Sequence, residues 1–471
     1  MKPVVFAISV VSVLGVSSLA LVARPQYGGV LHVEMPATIR TLDPTAAAAD
    51  PSDALARARL LPLVFETLVA ADADGGLAPG LAVSWDHDAR AVRWRFRLRS
   101  DVRLHDGSIL EASQVAAALR GAAAWKVSAD GDTLLVESDR EAPDLLWELA
   151  TVRYAVVVRR GPTEMMGTGP FRVERFQSSH LVLRAHEDYW AGRPFVDTVD
   201  IAMGQSPADQ LASLEVGRAD LASITPSDAP RLSQRGLRIA ASRPIDLVAL
   251  VFEEHRALPG GQPLRNAVAA AIDRPSLCTL LLQRWAQPAA TMLPDWLSGY
   301  ASLFSAGHDR AAARALVTAL PAAQRSVALR VESPAPVDRV IADRIAVDAR
   351  DVGLAIKIDP ADSLAPRPDV RLVHVKLEAT SPDRALAAAL TALGQRASRV
   401  LPVDATVPAG APLEDVFRLE RALLEPRVIV PIVHLPELYA LGAHVEAWNG
   451  PIVLPSGAWD FGNVWVRADK P

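Results

Sequence analysis

GTGPFRVERFQSSHLVLRAHEDYWAGRPFVDTVDI, residues Gly167 to Ile201, is the stretch on which the reading of this chain turns. Gly167, Gly169 and Pro170 punctuate a turn, since glycine reaches positive φ and proline fixes φ near about −65°, so the chain must reverse or change lobes there. Phe171, Val173 and Phe176, then Leu181, Leu183 and Ala185, alternate with polar residues in the period of a half-buried hairpin with its tip at Gln177 to His180. Tyr189-Trp190-Ala191-Gly192-Arg193-Pro194 is a second turn anchored by two large aromatics, and Val196, Val199 and Ile201 open another strand. Taken alone, these residues describe a β-rich linker region.

Outward from it, the pattern is α/β. Ser206 caps a helix with Pro207 at its first position, Leu211 and Leu214 on its inner face and Gly217 at its end, and Leu221 to Ile224 follows as a strand. Ser227 to Gly236 and Leu237 to Ala241 repeat helix and strand, and Asp246 to Glu253 is a further strand. Val327 to Val331, Val337 to Val352 and Leu354 to Ile358 form a βαβ unit, whose parallel strands place a ligand cleft at their carboxyl ends. On the other side, Val92, Trp94, Phe96 and Leu98 share one face of a strand and Arg93, Arg95, Arg97 and Arg99 the other. That arginine row reads as a solvated face that also blunts edge pairing, in preference to a dock for an acidic partner.

With 471 residues and 50% hydrophobic content the chain has material for several cores. A net charge of −5 leaves no basic footprint for nucleic acid. The one cysteine, Cys278, excludes an internal disulfide and a cysteine-based zinc site, and in the run Leu277 to Leu282 it reads as buried and inert. Lys2, the apolar run Val4 to Val16 and the small residues Ser18 and Ala20, with Ala23 as an alternative, have the form of a signal peptide. No cysteine lies near to take a lipid, and because the apolar character extends to Ala23, an uncleaved N-terminal anchor is the alternative.

The GTGPF turn, the hairpin, the Asp188-Tyr189-Trp190 turn and the strand after it, in that order, resemble the bacterial extracellular solute-binding proteins of family five, the peptide, dipeptide and nickel receptors of ATP-binding-cassette importers. Other stretches resemble the same family in the same order: Tyr27 to Val33 with Thr41-Leu42-Asp43-Pro44, Phe65 to Leu68 with Leu77 to Trp85, Trp94 to Arg99 with His105-Asp106-Gly107-Ser108, and Leu264 to Arg274. The resemblance runs from about Tyr27 to Leu320 and thins beyond. It implies a periplasmic-binding-protein-like α/β fold of type II, cluster C, with two α/β lobes, a hinge and a smaller third lobe. On this reading residues 1–23 are the signal peptide or anchor, and 24–45, 167–245 and 433–471 together make lobe I. Residues 46–166 are the smaller lobe II and 246–432 are lobe III, with hinge crossings at Ser242 to Leu247 and Val428 to Leu435.

The resemblance also implies the site. The exit of the first strand borders the family's cleft, which makes Glu34 and Met35 candidates, and Trp296 lies in a loop similar to the proline- and aromatic-rich loop near that cleft. On the strand Val370 to Glu378, His374, Lys376 and Glu378 share the face opposite Val373, Val375 and Leu377. Peptide-binding relatives carry there a tryptophan, an acid that pairs with the ligand's amino group, a tyrosine and a proline. In this chain Val375, Glu378, Ala379 and Pro382 occupy those places, so the carboxylate and the proline are kept and both aromatics are lost. Lys376 is the alternative partner that satisfies Glu378 within the protein. His374 has no second histidine at ligand spacing, so no metal and no cofactor are expected.

The expected function is that of an exported, monomeric receptor that captures a small solute, a short peptide first, and hands it to ABC permease subunits in the inner membrane. No catalytic residue is expected, because Walker, HExxH, GxSxG and GxGxxG motifs are all missing. The other readings are a degenerate relative serving as a ligand sensor or partner-binding module, and an exported hydrolase, for which no motif speaks.

Overall fold

The computed structural model describes residues 25–467, apart from 123–124, 162–163, 258, 306, 334, 360–366, 380, 399–405 and 447–451. The expected signal segment 1–23 lies outside the described residues. Its central element is an eleven-stranded sheet. From one edge the strands run Phe171–Gln177, His180–Ala185, Thr198–Met203, Val30–Met35, Leu221–Ile224, Ile429–Leu441, Arg238–Phe252, Val370–Lys376, Ser326–Val331 and Ala355–Asp359, with the short Gln287–Pro288 paired to Ile429–Leu441. Val30–Met35 lies parallel to both of its neighbours, and so does Ser326–Val331. The helix Pro207–Glu215 leads into Leu221–Ile224, and Pro336–Asp351 crosses from Ser326–Val331 to Ala355–Asp359. Two parallel α/β halves are thus joined through the antiparallel pair Arg238–Phe252 and Ile429–Leu441.

Ser206 caps its helix by accepting from the Asp209 N–H at 3.2 Å. Asp309 caps Arg310–Ala319 by accepting from the Ala312 N–H at 2.9 Å. Each relieves an amide that the first helical turn leaves unpaired. One half buries Leu31, Val33, Phe171, Leu183, Val199, Ile201 and Phe461. The other fills both faces of its sheet, with Val248, Leu250, Ile345 and Leu372 on one side and Leu247, Val375, Leu386 and Leu423 on the other. A separate four-stranded antiparallel sheet, in the order Ala82–His87, Arg93–Leu98, Thr133–Glu137, Lys126–Asp130, has its own core around Trp94, Phe96 and Leu134. Burial of each such side chain stabilises by about 1.5–3 kcal/mol. Arg93, Arg95 and Arg97 of the arginine row are exposed as expected, with Arg93 paired to Glu137 at 2.7 Å and Arg95 to Asp86 at 2.8 Å, whereas Arg99 is half-buried and donates to the Gly80 carbonyl at 2.8 Å. Cys278 is buried, and burial pushes its thiol up to about 12, which leaves it inert.

Two expectations change. Leu237 to Ala241 and Asp246 to Glu253 are one strand, Arg238–Phe252, because pairing with Ile429–Leu441 carries the chain through Pro244. The register shifts between Ala241, Pro244 and Asp246, and Pro244 lies opposite Pro436. Neither proline has an N–H to give the ladder, so the expected hinge is the place where two facing donors are missing.

The glycines of the GTGPF turn are there for a different reason than positive φ, which neither adopts. A Cβ on Gly167 would stand 2.0 Å from the Val64 carbonyl oxygen, and one on Gly169 would stand 2.7 Å from it. The Gly169 N–H donates to that same oxygen at 3.0 Å. The turn is therefore a close backbone crossing against residues 63–64. Gly167→Ala should cost about 1–3 kcal/mol in urea unfolding, because the clash is with backbone that has no rotamer to change. An unchanged midpoint would refute the close approach.

Candidate functional site

The carboxyl ends of the parallel strands converge on a cavity of about 270 Å³. Val30–Met35 brings Glu34 and Met35, Leu221–Ile224 brings Ser223 and Ile224, and Val370–Lys376 brings His374 and Lys376. The crossing strands add Asp246 and Glu437. A second cavity of about 510 Å³ lies against Phe65 and Glu66, Trp147 and Ala150, Glu378, Ala379, Arg384 and Ala388, and Ala458 to Phe461. Trp459 lines both.

Between them stands Arg59. Its helix, Pro51–Leu60, starts at the N-cap Asp50 and packs Ala56 and Leu60 on the first core. On that helix Arg57 donates to the carbonyls of Thr41, Asp43, Pro44 and Ala46, which fastens the loop after the first strand. The Arg59 side chain is 1% exposed, and its guanidinium donates to Glu378 Oε1 at 2.6 Å and Glu437 Oε1 at 2.9 Å, and also to the Gly457 carbonyl. Gly457 has φ +87°, and a Cβ there would come within 2.6 Å of Glu378 Oε2. Only glycine holds that turn and leaves room for the pair.

The charges continue from there. Lys376 Nζ lies 2.5 Å from Glu437 Oε1 and 3.0 Å from Asp246 Oδ1. His374 stands between Asp246, 3.1 Å from its Nε2, and Asp338, 3.2 Å from its Nδ1. Tyr439 donates to Glu437 Oε2 at 2.5 Å, and Trp459 Nε1 donates to the Tyr439 hydroxyl at 3.4 Å. Burial opposes the charges on Arg59, His374, Lys376 and Glu437, and their partners override it. Lys376 and Arg59 hold the Glu437 carboxyl far below the carboxylate range, and their own values rise above the ordinary. Burial alone would lower His374, but hydrogen bonds and charge from Asp246 and Asp338 hold it up to about 10, so it is a cation at neutral pH.

Of the residues expected from the sequence, Glu34, Met35, His374 and Lys376 line the smaller cavity and Glu378 the larger. Glu34 Oε2 is buried without a hydrogen-bond partner among the described residues. Met35 also belongs to the core. Trp296 lines neither cavity and braces the crossing strand, its Nε1 donating to the Pro244 carbonyl at 2.8 Å with the Arg243 guanidinium 5.3 Å from its ring. Glu378 is satisfied within the protein, by Arg59 and not by Lys376, which turns to Glu437 and Asp246. Among the described residues no group of three or more His, Cys, Asp or Glu side chains is placed to hold a metal ion. Sequence reasoning missed Arg59, Asp338, Glu437 and Glu66. The available signal for Arg59 was a cation directly before the apolar run Leu60-Leu61-Pro62-Leu63-Val64, where a charge must be paired.

Residues 76–395 match the family described as bacterial extracellular solute-binding proteins, family 5 middle. The nickel-binding periplasmic protein of Escherichia coli K12 is 27% identical over 262 residues, which are 49% of this chain and 50% of that protein. The chain spans about half the length of the curated relatives it matches. An ABC transporter substrate-binding protein from Sinorhizobium meliloti superposes with a TM-score of 0.74 at 21% identity, covering 93% of this chain and 100% of that one. The binding protein DppA from Helicobacter pylori, in complex with the peptide STSA, gives 0.66 at 16% identity, with 94% and 99% covered. These two likenesses are of fold.

Arg59→Met should lower stability by about 3–5 kcal/mol in urea unfolding, because it leaves the Glu378 carboxylate without its partner and takes one of two cations from Glu437. A loss below about 1 kcal/mol would show that the pair carries no weight. His374 gives a second expectation. The folded chain keeps a proton on it that the unfolded chain releases near its ordinary value of about 6.5. Its stabilisation is therefore complete below that pH and is lost as the pH rises toward about 10. Urea midpoints measured from pH 6 to 10 should fall, and the fall should shrink in His374→Gln; equal slopes in the two proteins would refute the charged histidine.

Proposed function

The chain belongs to the bacterial extracellular solute-binding proteins of family 5, and from that premise we propose that it is the extracytoplasmic solute-binding subunit of an ATP-binding-cassette importer. It captures a small solute between its lobes and delivers it to membrane permease subunits. One observation carries the reading: the smaller cavity lies between α/β halves joined, among the described residues, by two crossing strands, and those strands lose ladder donors at Pro244 and Pro436. Such a joint permits the halves to swing. A ligand that moves them from mostly open to mostly closed must prefer the closed state by about 5.5 kcal/mol. Contacts made from both sides of the cleft supply that kind of preference.

In this reading residues 1–23 direct export, the chain works outside the cytoplasm, and it divides into lobes at residues 46, 167, 246 and 433. The site takes in Glu34, Met35, His374, Lys376 and Glu378, with Trp296 as a brace of the hinge. Short peptides are the first cargo class to test. A thermal-shift screen of the chain from Arg24 onward against di- to pentapeptides, free amino acids, sugars and divalent metals should give at least one hit. A ligand at a hundred times its dissociation constant stabilises by about 2.7 kcal/mol. The hit should also make the protein more compact in small-angle scattering. If no solute moves the melt, or if the hit leaves the shape unchanged, the transport reading fails.

A further inference from the structure

The aromatic side chains Phe65, Trp147, Tyr189, Trp459 and Phe461 line the larger cavity, together with the carboxylates Glu66, Glu378 and Asp460 and the cation Arg384. The positive charge around it is already engaged. Arg384 donates to Asp144 at 2.9 Å, and the buried Arg59 holds Glu378 at 2.6 Å. Arg99 lies 3.8 Å from the centre of the Trp190 ring and donates to the Gly80 carbonyl at 2.8 Å, so its charge acts on Glu66 without an ion pair.

The negative charge is not balanced in the same way. Glu66 accepts from neutral donors, the Tyr189 hydroxyl at 2.9 Å and Trp190 Nε1 at 3.0 Å. Asp460 is exposed and accepts from the Gly462 N–H at 2.9 Å. Burial raises the Glu66 carboxyl above its ordinary value in spite of its donors, and burial with the charges of Glu66 and Asp460 raises the Tyr189 phenol that lies beside them. Both shifts mark a stretch of wall whose carboxylates lack a counter-ion. A cation placed there meets two opposite charges, and aromatic rings attract it over their faces while covering the apolar remainder of a solute.

We propose that the larger cavity takes a solute with one cationic group and an apolar body, the cation standing by Glu66, Tyr189 and Asp460. This rests on the reading of the chain as a solute-binding subunit and narrows its cargo.

Phenethylammonium, phenethyl alcohol and hydrocinnamate offer one aromatic body with a positive, a neutral and a negative end, which separates charge from shape. Trp147 and Trp459 line the cavity and report binding by fluorescence. Phenethylammonium should bind at least about tenfold more tightly than the alcohol, a difference of about 1.4 kcal/mol, and hydrocinnamate more weakly than either. The advantage of the ammonium over the alcohol should shrink in Asp460→Asn, an exposed position, and in Glu66→Gln as the second variant. Melting temperatures without ligand verify the fold of both. Equal or tighter binding of the alcohol or of hydrocinnamate overturns the inference, as does an ammonium advantage that survives both substitutions. If none of the three probes binds, the inference also falls. The transport reading then stands or falls separately, on whether any solute in the broader screen stabilises and compacts the protein.

Discussion

A single guanidinium holds the middle of this molecule together. Arg59 reaches two carboxylates that lie 319 and 378 residues away in sequence, and it is sealed from solvent where it does so. A buried cation without partners is intolerable, and so is a buried carboxylate. Glu378, Glu437 and Arg59 therefore constrain one another's positions. Leu60 in the first core fixes the end of the arginine's helix, and Gly457 gives up its side chain so that the pair fits. Lys376, Asp246, His374 and Asp338 extend the same logic into the other half, each charge answering its neighbour. The result is a polar seam between the two halves, and the two cavities lie on either side of it.

The sheet explains why the seam lies where it does. In each half the parallel strands direct their carboxyl ends at the interface, so the residues at the strand exits of both halves meet there. The crossing strands run through the same place, and their facing prolines leave carbonyls without ladder donors where the chain passes between the halves. Trp296 packs on that point and gives its indole N–H to one of those carbonyls, which is a use for an aromatic that a pocket-wall reading does not anticipate. A cleft, a charged seam and a weakened ladder thus coincide because one topology puts them together.

Much of this was legible in the chain's own pattern. The alternation at Trp94, Phe96 and Leu98, the caps at Ser206 and Asp309 and the βαβ unit are local signals, and the structure holds them as read. The strand exits Glu34 and His374 to Glu378 were readable through the family resemblance, since the topology fixes where such exits go. What stayed hidden is pairing at a distance. Nothing near Arg59 names Glu378 or Glu437, and nothing near His374 names Asp338, because those contacts exist only once the halves are assembled. The glycines at 167 and 169 were legible as glycines but not in their cause: a sequence shows that a Cβ is missing, not which backbone needs the room.

The order of strands in the large sheet also bears on how the chain comes to be folded. Leu221–Ile224 is flanked on one side by Val30–Met35 and on the other by residues 438–441, which are made only after the whole second half of the molecule. Until then its outer edge presents unpaired amides and carbonyls, which is the kind of surface on which other chains dock and aggregate. Closing that edge also requires a very long loop to be drawn together, and such contacts form slowly. The half that contains the first strand is accordingly completed late, and for most of the chain's synthesis its sheet is an open template rather than a finished lobe.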